Sequence, residues 1–330
     1  MLTAFGAGAR RVVRRLVALG AGSAFLAITL SGSVASASST LTTTTTTTTT
    51  TPGATVSGPA APLKGIASYL ATRQGVVQVA VYDEATGATS VLSTGTVPQA
   101  TASIAKVDIL AEWLHGYDAG AVAVPGGIPF SIKYLMQQMI QDSVNPAATA
   151  LFYMGGGCGA LTTFNLLIPT SNTTVGCQTP IYYGWGDTTT SAADQAALVE
   201  HYAYANSVLS DASRAYGLGL MENIAPGQGW GITCGPWGSS CAGPSYAQPV
   251  PGVTVAVKNG WKYTPSCVAQ DQICPWQMNS IGWVSGKGRN YVLAVLTGYD
   301  PAGPGLYGYN YGITTIQQVS QLVWSDLAPS

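Results

Sequence analysis

Strand patterns stand near both ends of this chain's main span and helical patterns fill the middle, an order that limits how a sheet can close. The first two strands read over 76–82 and 88–93, with Glu84-Ala85-Thr86-Gly87 as the turn between them. Three more read over 253–258, 279–284 and 291–296, the last two joined through Ser285-Gly286-Lys287-Gly288. Apolar residues recur at helical spacing over 103–115, 132–141, 146–154, 191–206 and 210–223, and again over 63–73 and 314–327 at the two ends. Strands that come first and last can pair only if the middle is set aside as a lobe. The expectation is an α+β fold: a five-stranded antiparallel sheet covered by the two terminal helices, a helical lobe against it, and a cleft at the junction.

Upstream of this span the chain reads as an export leader. Arg10, Arg11, Arg14 and Arg15 precede an apolar run over 16–30, and Ala35-Ser36-Ala37 offers a small-residue cleavage site, so 1–37 is expected to be a signal peptide. The run is shorter than the roughly 20 apolar residues a spanning helix needs. Paired arginines leave the export route open. A threonine tract over 42–51 with Pro52, Gly53 and Pro59 has no apolar face to bury, so 38–60 reads as a linker, either a glycosylated stalk or a plain spacer. The remaining 61–330 is long enough for one large domain.

Cleavage after Ala37 would leave nine basic side chains against fourteen acidic ones, a net charge of about −5. That balance gives no basic surface for nucleic acid, and no membrane partner is expected once the leader is gone. In an exported chain the six cysteines, Cys158, Cys177, Cys234, Cys241, Cys267 and Cys274, suggest disulfides, with neighbour pairing the simplest of the 15 arrangements. With only His115 and His201 available, neither beside a cysteine pair, no metal or cofactor is expected. A monomer in a secreted or wall-associated setting is the working expectation.

Three short motifs fall at the lobe junction. Ser103-Ile104-Ala105-Lys106 opens a helix, and residues three apart share a helix face, so the Lys106 amine can reach the Ser103 hydroxyl as its base. Ser143-Val144-Asn145 precedes another helix. Asn145 followed by Pro146 would serve as an ordinary N-cap, while Ser143 could relay a proton and Asn145 could hold the lysine and substrate. Lys258-Asn259-Gly260 is expected to end a strand, placing a second cation opposite Ser103 to hold a carboxylate and depress the Lys106 pKa. Gly260 permits close approach, and the N–H groups of Ser103 and Trp261 form a natural oxyanion pair. Trp185, Trp230, Trp261 and Trp283 read either as groove lining or as core.

An S-x-x-K, an S-x-N and a K-x-G in this order resemble the penicillin-recognising serine hydrolases, class A β-lactamases among them. The resemblance covers about 62–327 and is nearest to secreted actinobacterial β-lactamase-like serine hydrolases. It is carried also by Asp142, Trp185-Gly186-Asp187-Thr188-Thr189-Thr190 and Asn279-Ser280-Ile281-Gly282-Trp283. It implies a β-lactamase/transpeptidase-like fold with Ser103 as acylated nucleophile, Lys106 as base and Ser143 as relay. Asn145 and Asn259 would be substrate donors and Lys258 the carboxylate clamp. The ligands implied are β-lactams or D-Ala-D-Ala-type wall peptides.

The chain departs from that family at three points. Val144 stands where Asp is usual, and Asn259 where Thr or Ser is usual. The loop glutamate that activates the deacylating water has no counterpart: residues 143–186 contain no Asp, Glu or His. A carboxylate base is worth about 10²–10⁴-fold in a proton-transfer step. The expected enzyme therefore acylates and releases slowly. Two other readings stay open, a catalytically idle wall-binding or sensing module and an esterase or amidase using the same Ser/Lys pair.

Overall fold

The computed structural model describes residues 55–57, 63–95, 98–120, 128–177, 184–240, 250–263, 275–298, 300–301 and 307–329. The expected signal peptide, the threonine tract, Cys241, Cys267 and Cys274 lie outside them. In chain order the elements are β1 (Thr55–Ser57), α1 (Lys64–Leu70), β2 (Val76–Asp83), β3 (Ala88–Ser93) and β4 (Gln99–Ala100). The helical lobe follows with α2 (Ala105–Asp118), α3 (Phe130–Ile140), α4 (Asn145–Met154), α5 (Gly157–Asn165), β5 (Thr189–Thr190), α6 (Ala192–Ala203) and α7 (Asp211–Glu222). Three long strands and a helix close the chain: β6 (Val253–Tyr263), β7 (Trp276–Gly286), β8 (Arg289–Gly298) and α8 (Tyr307–Asp326).

The main sheet runs β1-β3-β2-β8-β7-β6 and every pairing is antiparallel. First and last strands meet where β2 pairs with β8, as the strand order requires. One correction concerns its size. Thr55–Ser57, inside the segment read as linker, pairs with β3 and adds a sixth, edge strand to the expected five.

Alternation along the strands divides the core in two. Val77, Val79 and Val81 on β2 and Leu293 and Val295 on β8 pack with Leu63, with Ile66 and Leu70 of the first helix and with Ile313, Ile316 and Val319 of the last. Their neighbours Ala80, Val292, Ala294 and Leu296 face the helical lobe and pack with Ile104, Leu110, Met139, Leu151 and Tyr202. The sheet is thus a middle layer; α6 lies against its lobe-facing side, and α2 runs through the lobe among α3, α4, α5 and α7.

Three elements outrun the sequence patterns. The third motif sits inside β6 rather than ending it, because Trp261, Lys262 and Tyr263 continue pairing with Met278, Gln277 and Trp276. Helix α8 begins at Tyr307, seven residues before the pattern shows it. Gly308 and Gly312 weaken that pattern, yet they are where the helix meets the strands: a Cβ at Gly312 would collide with the Met278 side chain. Helix α5 is hidden in the sequence by its glycine-rich start, and the Cys158–Cys177 disulfide ties that start to the loop behind it. Cys234 is disulfide-bonded as well.

Candidate active site

Ser103 lies in the tight turn Ala102–Ile104 that feeds directly into α2. Ala102 before it and Ile104 after it are buried, while Ser103 itself keeps partial exposure. One helical step on, Lys106 is completely buried and carries its amine back to the serine, Nζ to Oγ 2.9 Å. The same nitrogen meets Ser143 O at 2.7 Å, Ser143 Oγ at 3.0 Å and Asn145 Oδ1 at 2.7 Å.

These partners decide what the lysine can do. A carbonyl and an amide oxygen only accept, so in a neutral amine they take both N–H bonds. The lone pair is then left for a hydroxyl proton, that of Ser103 or Ser143. Burial, and secondarily the charge of Lys258, brings the Lys106 pKa down to about 6. Lys258 is equally buried and falls to about 7 for the same first reason. Neither lysine has a carboxylate partner among the described residues.

Ser143 joins the two. Its Oγ accepts from Lys258 Nζ at 2.9 Å as well as facing Lys106. Its backbone sits in the left-handed region at φ 58°, an uncommon place for a non-glycine residue, and this conformation presents both its carbonyl and its hydroxyl to Lys106. The expectation that Asn145 caps the next helix needs correction. Val144 is the cap residue of α4 and Asn145 is already helical, its side-chain oxygen bound by Lys106 rather than by the N–H groups of the helix start. Its NH₂ end makes no hydrogen bond among the described residues.

The third motif splits by the alternation of β6. Lys258 and Gly260 face the side of Ser103 and Ser143, and a Cβ on Gly260 would sit 2.8 Å from Ser103 N, Ile104 N and Thr101 O. Only glycine lets this strand lie so close. Asn259 faces the other way and donates through Nδ2 to Gln228 O at 2.7 Å and Trp230 O at 3.1 Å. Both its donors are thereby committed to the protein, which corrects its expected role as a substrate donor.

The open edge of β6 follows from its register. Val253 turns its N–H away from β7 to Val250 O, and the pairing with β7 runs without a bulge to Tyr263. Backbone groups alternate along an antiparallel ladder, so Val255, Asn259 and Trp261 present theirs on the same free edge. The Trp261 N–H is thus on the edge that passes Ser103. Its indole lies on the α8 side of the sheet among Trp230 and Tyr309.

The wall opposite β6 carries Trp185 and Asp187 in the turn Gly184–Asp187, with a Cβ at Gly186 3.8 Å from Ala102. Trp185 is buried, bonds Thr149 Oγ1 through Nε1 at 3.1 Å, and sets its ring centre 5.0 Å from Lys106 Nζ. Of the four tryptophans that stood out in the sequence, Trp185 is the one in contact with Lys106; Trp230 is core and Trp283 bonds Asn290 at 2.6 Å. Asp187 pairs with Lys262 of β6, an ion pair across the turn that carries Ser103.

Comparison with known proteins gives this arrangement its family. The sequence profile of the β-lactamase enzyme family matches residues 62–327. This chain belongs to that family. Its fold is shared with a class A β-lactamase from Bacteroides cellulosilyticus at 16% identity and TM-score 0.61, over 80% of this chain and 96% of that one. It is shared with a class A β-lactamase from Mycobacterium abscessus at 18% identity and TM-score 0.58, covering 78% and 96%. It is shared also with a point mutant of PBP-A, solved as an acyl-enzyme complex with penicillin G, at 20% identity and TM-score 0.57, covering 78% and 92%. No curated protein matches in sequence. The β-lactamase/transpeptidase-like architecture expected from the motifs is the one found, and the family member is a serine hydrolase.

Proposed function

We propose that this β-lactamase-family protein is an exported acyl-transfer enzyme that forms an acyl-enzyme at Ser103 with β-lactams or D-Ala-D-Ala-type peptides and releases it slowly. The single observation that carries this is the buried, carboxylate-free contact of Lys106 with Ser103 at 2.9 Å. Neutral Lys106 takes the Ser103 proton as Oγ attacks the carbonyl carbon. The N–H groups of Ser103 and Trp261 hold the oxyanion, supported by the glycine-close approach of β6. Ser143 then hands a proton from the lysine pair to the leaving nitrogen. A substrate carboxylate beside Lys258 favours its charged form, so the clamp strengthens as the ligand arrives. The NH₂ of Asn145 is the donor left for the acyl side chain.

Slow release follows from what faces the acylated serine. No acidic or histidine side chain occurs over 143–186, Trp185 covers the Lys106 amine, and Asp187 is engaged by Lys262. Export rests on the basic, apolar leader and on the disulfides. Among the described residues no helix is long and apolar enough to cross a membrane.

The test is intact-mass spectrometry of the protein with benzylpenicillin, followed over hours beside Ser103→Ala. An adduct confined to the protein with Ser103, decaying over many minutes or longer, is the expected result. Absence of an adduct in folded protein would sink penicillin recognition and leave ester or amide turnover to be assayed.

A further inference from the structure

A second hollow lies farther along the same β6 edge, with a volume of about 430 Å³. Its floor is Val253–Val255 at the free edge, where the backbone groups of Val255 face outward. Its walls come from the end of α7 and from the segment that follows, with Ile224, Pro226 and Trp237 as apolar surfaces. None of Ser103, Lys106, Ser143 and Lys258 lines it. The size is that of a small-molecule pocket.

Its chemistry is lopsided. Among the described residues of its lining Glu222 is the one ionisable side chain, a carboxylate that no cation among them answers. Partial burial already disfavours the charged form of that carboxylate. Thr233 adds a buried hydroxyl with no hydrogen-bond partner among the described residues. A hollow lined by both an indole and a carboxylate is a setting in which a cation gains from each.

The same segment is tied to two of the catalytic motifs. Ala225 donates its N–H to Gln141 O at 2.9 Å, two residues before Ser143. The carbonyls of Gln228 and Trp230 hold the side chain of Asn259, next to Lys258. A displacement of 224–230 therefore pulls on the loop of Ser143 and on the strand of Lys258 together.

We propose that this hollow is a second ligand site for a small apolar organic cation, and that its occupancy is coupled to the catalytic cleft through residues 224–230. The site stands apart from the acylation reading, and its test uses Ser103→Ala protein so that the two can fail separately. Phenethylammonium, 2-phenylethanol and phenylacetate share one ring and differ in charge. Titrated by calorimetry, the ammonium should bind saturably, the alcohol at least about tenfold more weakly, and the anion least. Glu222→Gln, at an exposed helix end, should cost the ammonium about tenfold while leaving the alcohol unchanged. Equal affinities for the three probes, or no saturable binding, would overturn the cation site. Backbone amide shifts read the coupling: the ammonium should move Ser143 and Asn259 as well as Ile224. Shifts confined to the hollow would overturn the coupling.

Discussion

Lys106 and Lys258 share one hydroxyl, the Oγ of Ser143, at 3.0 and 2.9 Å. Two buried amines around one oxygen cannot both stay charged cheaply, since a charge on one makes a proton on the other costlier. In the proposed mechanism acylation of Ser103 requires Lys106 neutral, so its rate should rise with pH through an acid limb near 6 to 7 that belongs to the pair. Lys258→Gln removes the neighbouring charge that helps lower Lys106 and should move the limb to higher pH. A limb that stays in place or moves down in that variant would refute the coupling; the measurement is adduct formation against pH.

The same burial shapes stability. The folded pKa of Lys106 is about 6, below its ordinary value of 10.5, so between those two values the unfolded chain binds the extra proton. Stability should therefore climb with pH across that window, with the cost of the buried amine fully present below it. In Lys106→Met the climb should be shallower. Urea midpoints measured at several pH values across the lower half of that window decide this, and equal slopes would count against it.

Ser143 can be tested without straining its backbone. Its φ of 58° suits glycine better than any other residue, so Ser143→Gly relieves the backbone while removing the hydroxyl that both lysines bond. Acylation should fall by about 10²-fold or more. An unchanged rate in that variant would remove Ser143 from the proton path.

Much of this arrangement is legible in the sequence, and the limits have physical causes. The strand-helix-strand order yields the sheet pairing of β2 with β8, since apolar patterning survives in strands buried on both faces. The spacing of Ser103 and Lys106 yields their contact because a helix brings such positions together. What spacing does not carry is direction. Whether Asn259 faces the cleft or the carbonyls of Gln228 and Trp230 depends on where β6 ends, and the strand continues to Tyr263, well past Lys258. Asn145 reads as a cap because Asn-Pro usually is one; the amine that takes its oxygen comes from 39 residues away.

Gly260 is where β6 meets the turn of Ser103. A methyl group there meets the backbone of Thr101, Ser103 and Ile104, all at 2.8 Å, and backbone cannot swing aside as a flexible side chain can. Gly260→Ala should cost about 1–3 kcal/mol in stability and most of the acylation rate. Gly227→Ala, with nothing within 4 Å of the new carbon, is the matched control and should be close to silent. Thermal melts and adduct formation on both variants check this, and a silent Gly260→Ala would mean the strand does not sit against Ser103.

Asp187 is the carboxylate nearest in sequence to the position where a deacylating base would be sought, and its ion pair with Lys262 argues against that role. The pair is partly exposed, with Asp187 at 50% and Lys262 at 23%, so its contribution to stability is about 1 kcal/mol or less. The Lys262 ammonium of β6 occupies a carboxylate oxygen that a base would need for water. Asp187→Asn should therefore leave the melting temperature nearly unchanged and the lifetime of the Ser103 adduct within about twofold, since no general-base factor of about 10²–10⁴ is being lost. Lys262→Met separates the alternatives. If Asp187 were a base restrained by its partner, freeing it would shorten the adduct's life by a large factor, and Asp187→Asn in the same background would restore it. The expected outcome is that neither variant changes release, which would assign the proposed slow deacylation to the composition of 143–186 and not to the ion pair.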